Sequence, residues 1–185
     1  TDYTIIDSED ASTLMKACIA QADVGHLERR FPKASLIINA HSFAQNTRRP
    51  LQEILDERYP YFAHLAEPLQ AIINLYQIRK KEIGLMDFDD LLINWYRLLI
   101  EHDDLRQSLA ARFEYILGDE YQDTNHLQGL IVDLMASIHG NIMAVGDDCQ
   151  SIYAFRGADY RNILEFPERY PDCRIFRLET NYRST

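Results

Sequence analysis

The sequence predicts an α/β fold in which a short parallel sheet, with helices between its strands, is joined to an all-helical subdomain. Three observations predict it. Up to about Gly84, apolar residues recur only at helical spacing. From Tyr115 onward, three short apolar runs (115–117, 142–145 and 175–178) alternate with helix-like segments. Each run then stops at a polar cluster, the pattern of parallel strands delivering side chains to the carboxyl edge of a sheet. The expected division is residues 1–84 for the helical subdomain and 85–185 for the α/β part.

The elements follow in order. Asp7 or Ser8 caps a first helix, with Glu9 and Asp10 suited to its amino-terminal dipole and Leu14, Met15, Cys18, Ile19 and Ala22 on one face. A polar connection from Asp23 to Pro32 leads to a second helix, 35–44, burying Leu36, Ile37, Ala40 and Phe43. Arg48 and Arg49 sit beside a turn; a phosphate contact is one reading and solvated loop arginines the commoner one. Leu51, Ile54 and Leu55 mark a short helix ending near Tyr59 and Pro60. From Phe62, the positions Leu65, Leu69, Ile72, Ile73 and Tyr76 form a long amphipathic helix. Pro68 either kinks it or lies in the first turn of a new one. Arg79, Lys80 and Lys81 complement the dipole at its end, and Gly84 breaks the pattern.

Asp87 is the expected N-cap of the next helix, with Asp89 and Asp90 in its first turn and Phe88, Leu91, Leu92, Trp95, Leu98 and Leu99 on a buried face. A short helix over 105–113 leads to the strand at Tyr115. Asn125 starts a helix with Leu127, Leu130, Ile131, Leu134, Met135 and Ile138 inward, and Gly140 and Asn141 end it.

Composition excludes several functions. The 185 residues are 46% hydrophobic, enough for one or two domains with a real core. Against 19 Lys and Arg stand 29 Asp and Glu, a net charge of -10. That is the wrong sign for simple electrostatic DNA binding, and neither half of the chain reverses it. Cys18, Cys149 and Cys173 have neither metal-ligand spacing nor an even disulfide count, which suits a reducing, intracellular setting. No stretch approaches the ~20 apolar residues of a membrane span. The chain begins at Thr1 and stops within its third polar cluster, so it reads as an excised fragment.

The chemistry centres on Asp119 and Glu120, which end the first strand. Paired acids there suit phosphoryl transfer, the first holding Mg²⁺ through its water shell and the second orienting or deprotonating the attacking water. The bland alternative is a strand end followed by an acidic helix start. The stretches DEYQDTN (119–125), GDDCQSIYAFRGA (146–158) and LETNYRS (178–184) decide between them. In this order they resemble motifs II, III and IV of the UvrD/Rep family of superfamily 1 DNA helicases.

The resemblance implies that the α/β part is the later portion of a RecA-like lobe and that residues 1–84 are the helical insertion that leans on duplex DNA in that family. It implies Asp119 as the Mg²⁺ ligand and Glu120 as the activator of water, with Gln122 and Asp123 coupling this strand end to neighbouring motifs. Gly118 departs from the larger apolar residue usual before the acids, which suggests looser packing there. Gln150 corresponds to the glutamine that senses the γ-phosphate. Tyr182 stacks the adenine, and Arg183, always ionised and forked, reaches the γ-phosphate. Tyr153, Phe155 and Arg156 correspond to a strand-contacting cluster, with Phe155 where the family often has Trp. The implied cofactors are ATP and Mg²⁺. The implied partners are single-stranded DNA and single-strand/duplex junctions, in the cytoplasm and away from membranes.

One expected element is missing from the 185 residues. A phosphate-cradling GxxxxGK[ST] loop is absent, because no glycine here is followed by lysine. The expectation is therefore a piece of an ATP-dependent 3′→5′ helicase, inactive alone. The alternatives are the motor part of a helicase–nuclease and a non-catalytic, helicase-like module that binds a partner protein.

Overall fold

The computed structural model describes residues 3–22, 31–147 and 161–178. Four helices make the first layer: α1 (Ser8–Gln21), α2 (Ala34–Thr47), α3 (Leu51–Arg58) and α4 (Ala66–Glu82). Asp7 caps α1, its Oδ1 accepting the Glu9 and Asp10 amides at 2.8 and 2.9 Å. Arg48 ends α2 in the left-handed region (φ 59°). A 3₁₀ segment, Pro60–Leu65, precedes α4, so the expected single helix from Phe62 is two elements. Pro68 falls in the first turn of α4, where a missing N–H costs no intrahelical bond. These helices enclose the main core, built on Met15, Cys18, Ile37, Ile54, Leu55, Leu69, Ile72 and Ile73. Each fully buried aliphatic side chain there contributes about 1.5–3 kcal/mol.

Two very short strands, β1 (Thr4–Ile5) and β2 (Leu85–Met86), pair in parallel, Thr4 opposite Leu85 and Ile5 opposite Met86. The Thr4 amide donates to Gly84 O and the Ile6 amide to Met86 O, both at 2.9 Å. Neither strand stands out in the sequence, because two residues cannot show alternation. Gly84 takes φ 69°, a turn conformation that suits glycine.

Helix α5 (Phe88–Glu101) starts at a capping box: Asp87 accepts the Asp90 amide, and Asp90 accepts the Asp87 amide. It packs on α2, α6 (Asp103–Arg112) and α7 (His126–Ala136). The expected buried face of α5 is only partly realised. Leu99 is fully buried and Leu92, Trp95 and Leu98 are half-buried, but Leu91 is exposed and Phe88 is 69% exposed. The first turn is covered on its polar side, where Asn46 of α2 bonds Asp89 and Lys80 of α4 bonds Asp90, and not over Phe88 and Leu91.

The second sheet consists of β3 (Ile116–Gly118) and β4 (Ile142–Ala144), parallel, with Ile116 opposite Ile142 and Gly118 opposite Ala144. Helix α7 connects them, as expected for a crossover. Asn125 caps α7 in a second capping box with Gln128, and Gly140 ends the connection at φ 63°. Ile138 lies beyond the last helical turn and is exposed, not inward. The third expected strand does not form: 175–178 is irregular, and Leu178 is 95% exposed. A strand exists only where its backbone groups are paired, and no described strand lies beside this segment. Two short helices, α8 (Arg161–Leu164) and α9 (Phe166–Arg169), complete the α/β part.

Candidate active site

Because β3 and β4 run in parallel, their carboxyl ends share one edge, which brings Asp119 and Glu120 beside Gly146 and Asp147. Two backbone bonds past the register extend the pairing: Val145 N–H to Gly118 O (2.8 Å) and Tyr121 N–H to Val145 O (2.9 Å). Both acids are exposed at this edge. Glu120 turns the chain in the left-handed region (φ 50°, ψ 41°) into the 3₁₀ turn Tyr121–Asp123. For a residue with a Cβ, that conformation costs about 1–3 kcal/mol and must be held by its surroundings.

Gln122 does much of the holding. It is 1% exposed, its Nε2 donates to Glu120 Oε2 at 2.7 Å, and its Oε1 accepts the Asp147 amide at 3.0 Å. One buried amide thus ties the acid on β3 to the loop leaving β4, the coupling expected of Gln122. Asp123 does not share that role among the described residues: its Oδ1 is buried without a partner there. Gly146 makes the clamp possible, since a Cβ there would lie 2.4 Å from Gln122 Oε1 and 2.7 Å from Ile163 Cδ1. Gly118 does not loosen the packing. A Cβ there would lie 2.9 Å from Tyr121 Cδ2, so the Tyr121 ring occupies the space a larger residue would take.

Tyr121 is held from behind. Its ring meets Phe166 edge-on at 5.7 Å, and its hydroxyl accepts from Arg169 Nη2 at 3.2 Å. Burial, opposed by the Arg169 hydrogen bond, raises the Tyr121 phenol above its usual value. Arg169 also bonds Asp133 Oδ2 (2.9 Å), and Tyr170 donates to Asp133 Oδ1 (2.8 Å). Asn162 Nδ2 donates to Thr124 O at 2.9 Å, fixing the loop to α8. On the opposite side, Asn125 Nδ2 donates to Asn46 Oδ1 of α2 at 2.9 Å, and Asn46 Nδ2 donates to Asp89 Oδ1 of α5 at 2.8 Å.

A cation site here is small. Asp119 Oδ1 accepts the Glu120 amide at 2.9 Å, while Oδ2 accepts no bond among the described residues. One open carboxylate oxygen at an exposed edge fits Mg²⁺, which keeps several waters and takes few protein ligands. Among the described residues, no group of three His, Cys, Asp or Glu forms a metal cage. The expected site residues Gln150, Tyr153, Phe155, Arg156, Tyr182 and Arg183 lie outside the described residues.

Sequence reasoning missed Asn46, Asn162 and Arg169, which position the loop, and Lys80, which is buried at the junction of α4 and α5. Lys80 did carry a signal. The buried stripe Leu69, Ile73, Tyr76 steps next to position 80, so this lysine continues the core face. Its Nζ meets Asp87 Oδ2 at 2.5 Å and Asp90 Oδ2 at 2.6 Å. Burial raises the Asp90 carboxyl above its usual value. On Asp87 burial acts the same way but is outweighed by the hydrogen bonds and charge of Lys80, together with the Asp90 amide and Tyr76 hydroxyl, so that carboxyl is lowered. The turn arginines are also engaged: Arg49 bonds Glu53 and Glu57, and Arg48 lies over the Tyr96 ring at 4.8 Å.

Fold and site together define part of a parallel α/β lobe with strand-end acids, joined to a helical layer. The chain belongs to the UvrD/REP helicase family, whose N-terminal-domain profile matches residues 1–171. It is similar to YjcD of Bacillus subtilis, 41% identical over 143 residues, which is 77% of this chain and 18% of that protein. It is also similar to DNA helicase II of Salmonella typhimurium, 35% identical over 184 residues, covering all of this chain and 25% of that protein. The ATP-dependent DNA helicase PcrA of Staphylococcus epidermidis is 33% identical over the same length, 24% of that protein. The chain thus spans a quarter or less of the curated relatives it matches.

Proposed function

We propose that the protein to which this chain contributes is an ATP-driven DNA translocase and helicase, moving 3′→5′ on single-stranded DNA and opening single-strand/duplex junctions in the cytoplasm. In this reading, residues 1–84 are a helical insertion and 85–185 are the later part of a RecA-like ATPase lobe. The observation that carries it is the Glu120 carboxylate at a parallel-strand edge, gripped through one oxygen by a buried glutamine. The relatives named DNA helicase II and PcrA support the choice of ATP and DNA.

Hydrolysis at this edge needs a base for the attacking water. Gln122 holds Oε2 of Glu120, which leaves Oε1 to take the water's proton as its oxygen attacks the γ-phosphorus, giving ADP and inorganic phosphate. Mg²⁺, held by Asp119, would neutralise charge on the phosphates. Gln150 would read the γ-phosphate, Tyr182 would stack the adenine, and Arg183 would meet the developing phosphoryl charge. Tyr153 and Phe155 would stack bases beside Arg156 on the backbone.

The test is Glu120→Gln in the protein at the full length of its relatives. DNA-stimulated turnover should fall at least about 100-fold, because an amide cannot accept the proton, while nucleotide binding changes little. Near-normal hydrolysis in that variant would remove Glu120 from the role of base.

A further inference from the structure

Four amide side chains surround the turn that follows the catalytic acids, and each is buried: Gln122, Asn125, Asn162 and Asn46. The first three belong to the α/β part. Asn46 belongs to α2, in the helical layer, 79 residues from Asn125. Its orientation is fixed by chemistry. The Asp89 carboxylate can only accept, so Asn46 Nδ2 faces it at 2.8 Å, with Ser42 Oγ at 3.2 Å. Asn46 Oδ1 must then face Asn125 Nδ2. Asn125 in turn has no freedom, because its Oδ1 accepts the Gln128 amide at 2.8 Å as the cap of α7.

We propose that Asn46 is a positioning residue for Glu120, the helical layer's hold on the turn that carries the base. The proposal rests on the assignment of Glu120 as the base. Through Asn46, α2 and the first turn of α5 meet the amino end of α7, and Asn125 directly follows Thr124, whose hydroxyl donates to Tyr121 O at 2.7 Å. A displacement of α2 breaks the Asn46–Asn125 bond or moves the turn. Either outcome disturbs the left-handed conformation of Glu120, which its surroundings must maintain. Asn46 touches neither acid, so its loss acts on turnover without removing a chemical group.

The experiment uses the protein at the full length of its relatives and three variants. Asn125→Asp keeps an oxygen to cap α7 but turns the donor that faces Asn46 Oδ1 into an acceptor, so the bond gives way to repulsion between two oxygens. Asn46→Asp sets two carboxylates against each other. Combining it with Asp89→Asn restores a donor and an acceptor in the reversed sense at unchanged net charge. Two readouts are taken: amide hydrogen exchange over 120–128, and ATP turnover with and without single-stranded DNA. Asn125→Asp and Asn46→Asp should speed exchange in that segment and lower DNA-stimulated kcat at least about fivefold, with KM for ATP within about twofold. The swapped pair should recover both.

Unchanged exchange and kcat in Asn125→Asp overturn the proposal. So does a swapped pair that regains its Tm but not its turnover. If the unsubstituted protein hydrolyses no ATP with DNA, the functional reading fails, and exchange over 120–128 still decides whether Asn46 holds the turn.

Discussion

Around Glu120, single atoms decide what the backbone can do. Gln122 reaches Asp147 only because position 146 has no side chain, with 2.4 Å between a notional Cβ and Gln122 Oε1. Gly146→Ala should therefore cost about 1–3 kcal/mol, since both the buried amide and the backbone must shift. Urea unfolding with an unchanged m-value would record it. This level of detail was only partly legible in the sequence. The acid pair announced itself by ending an apolar run, and Gln122 was expected as a coupler through a resemblance. The left-handed Glu120 carried no signal, because glutamate at positive φ follows from the clamp around it and not from its own preference. Asn46 was equally silent: one amide near the end of an amphipathic helix looks like any solvated residue until its partners, 43 and 79 positions away, are known.

Helix starts were the most readable elements, since Asp7, Asp87 and Asn125 act through bonds two or three residues away. The strands were less so. The 142–144 run forms its strand because β3 lies beside it, whereas 175–178, apolar apart from Arg177, has no described partner. At the junction of α4 and α5, Lys80 bridges two carboxylates. Lys80→Met should cost about 3–5 kcal/mol, because it strands Asp87 and Asp90 without their cation. A melt of the two proteins side by side checks it, and a stabilised variant would show that desolvation outweighs the pairing.

His41, bonded to Gln77 at 2.7 Å, offers a pH test of the same layer. Burial, and then the charge of Lys80, depress its pKa from 6.5 to about 4. Between those values the unfolded chain binds a proton that the folded chain does not. Its contribution is full above pH 6.5 and is lost as pH falls toward 4, about 3 kcal/mol at about 1.4 kcal/mol per unit. Subtracting the stability curve of His41→Gln from the parent's isolates this slope from the aspartates. Parallel curves would show that His41 titrates normally.

Over the whole molecule, a net charge of -10 and a missing phosphate loop point the same way. The isolated 185-residue chain should show no DNA-stimulated ATP hydrolysis, since no glycine in it precedes a lysine. Phosphate release above a no-protein blank, lost in Glu120→Gln, would contradict this. The two layers also differ in finish. The helices α1–α4 close around a contiguous core, while the β3–β4 pair leaves Leu117 74% exposed.

The smallest element described, the β1–β2 pair, has a mechanical consequence. Its strands are parallel, so pulling residue 3 backward and residue 87 forward loads their hydrogen bonds in shear, all at once, instead of unzipping them in turn. Thr4 to Gly84 and Ile6 to Met86 then act as a clasp that closes the chain around α1–α4. Tension carried along the backbone crosses from β1 to β2 and bypasses the helices. A motor pulling on this segment would strain the clasp before it strained the core.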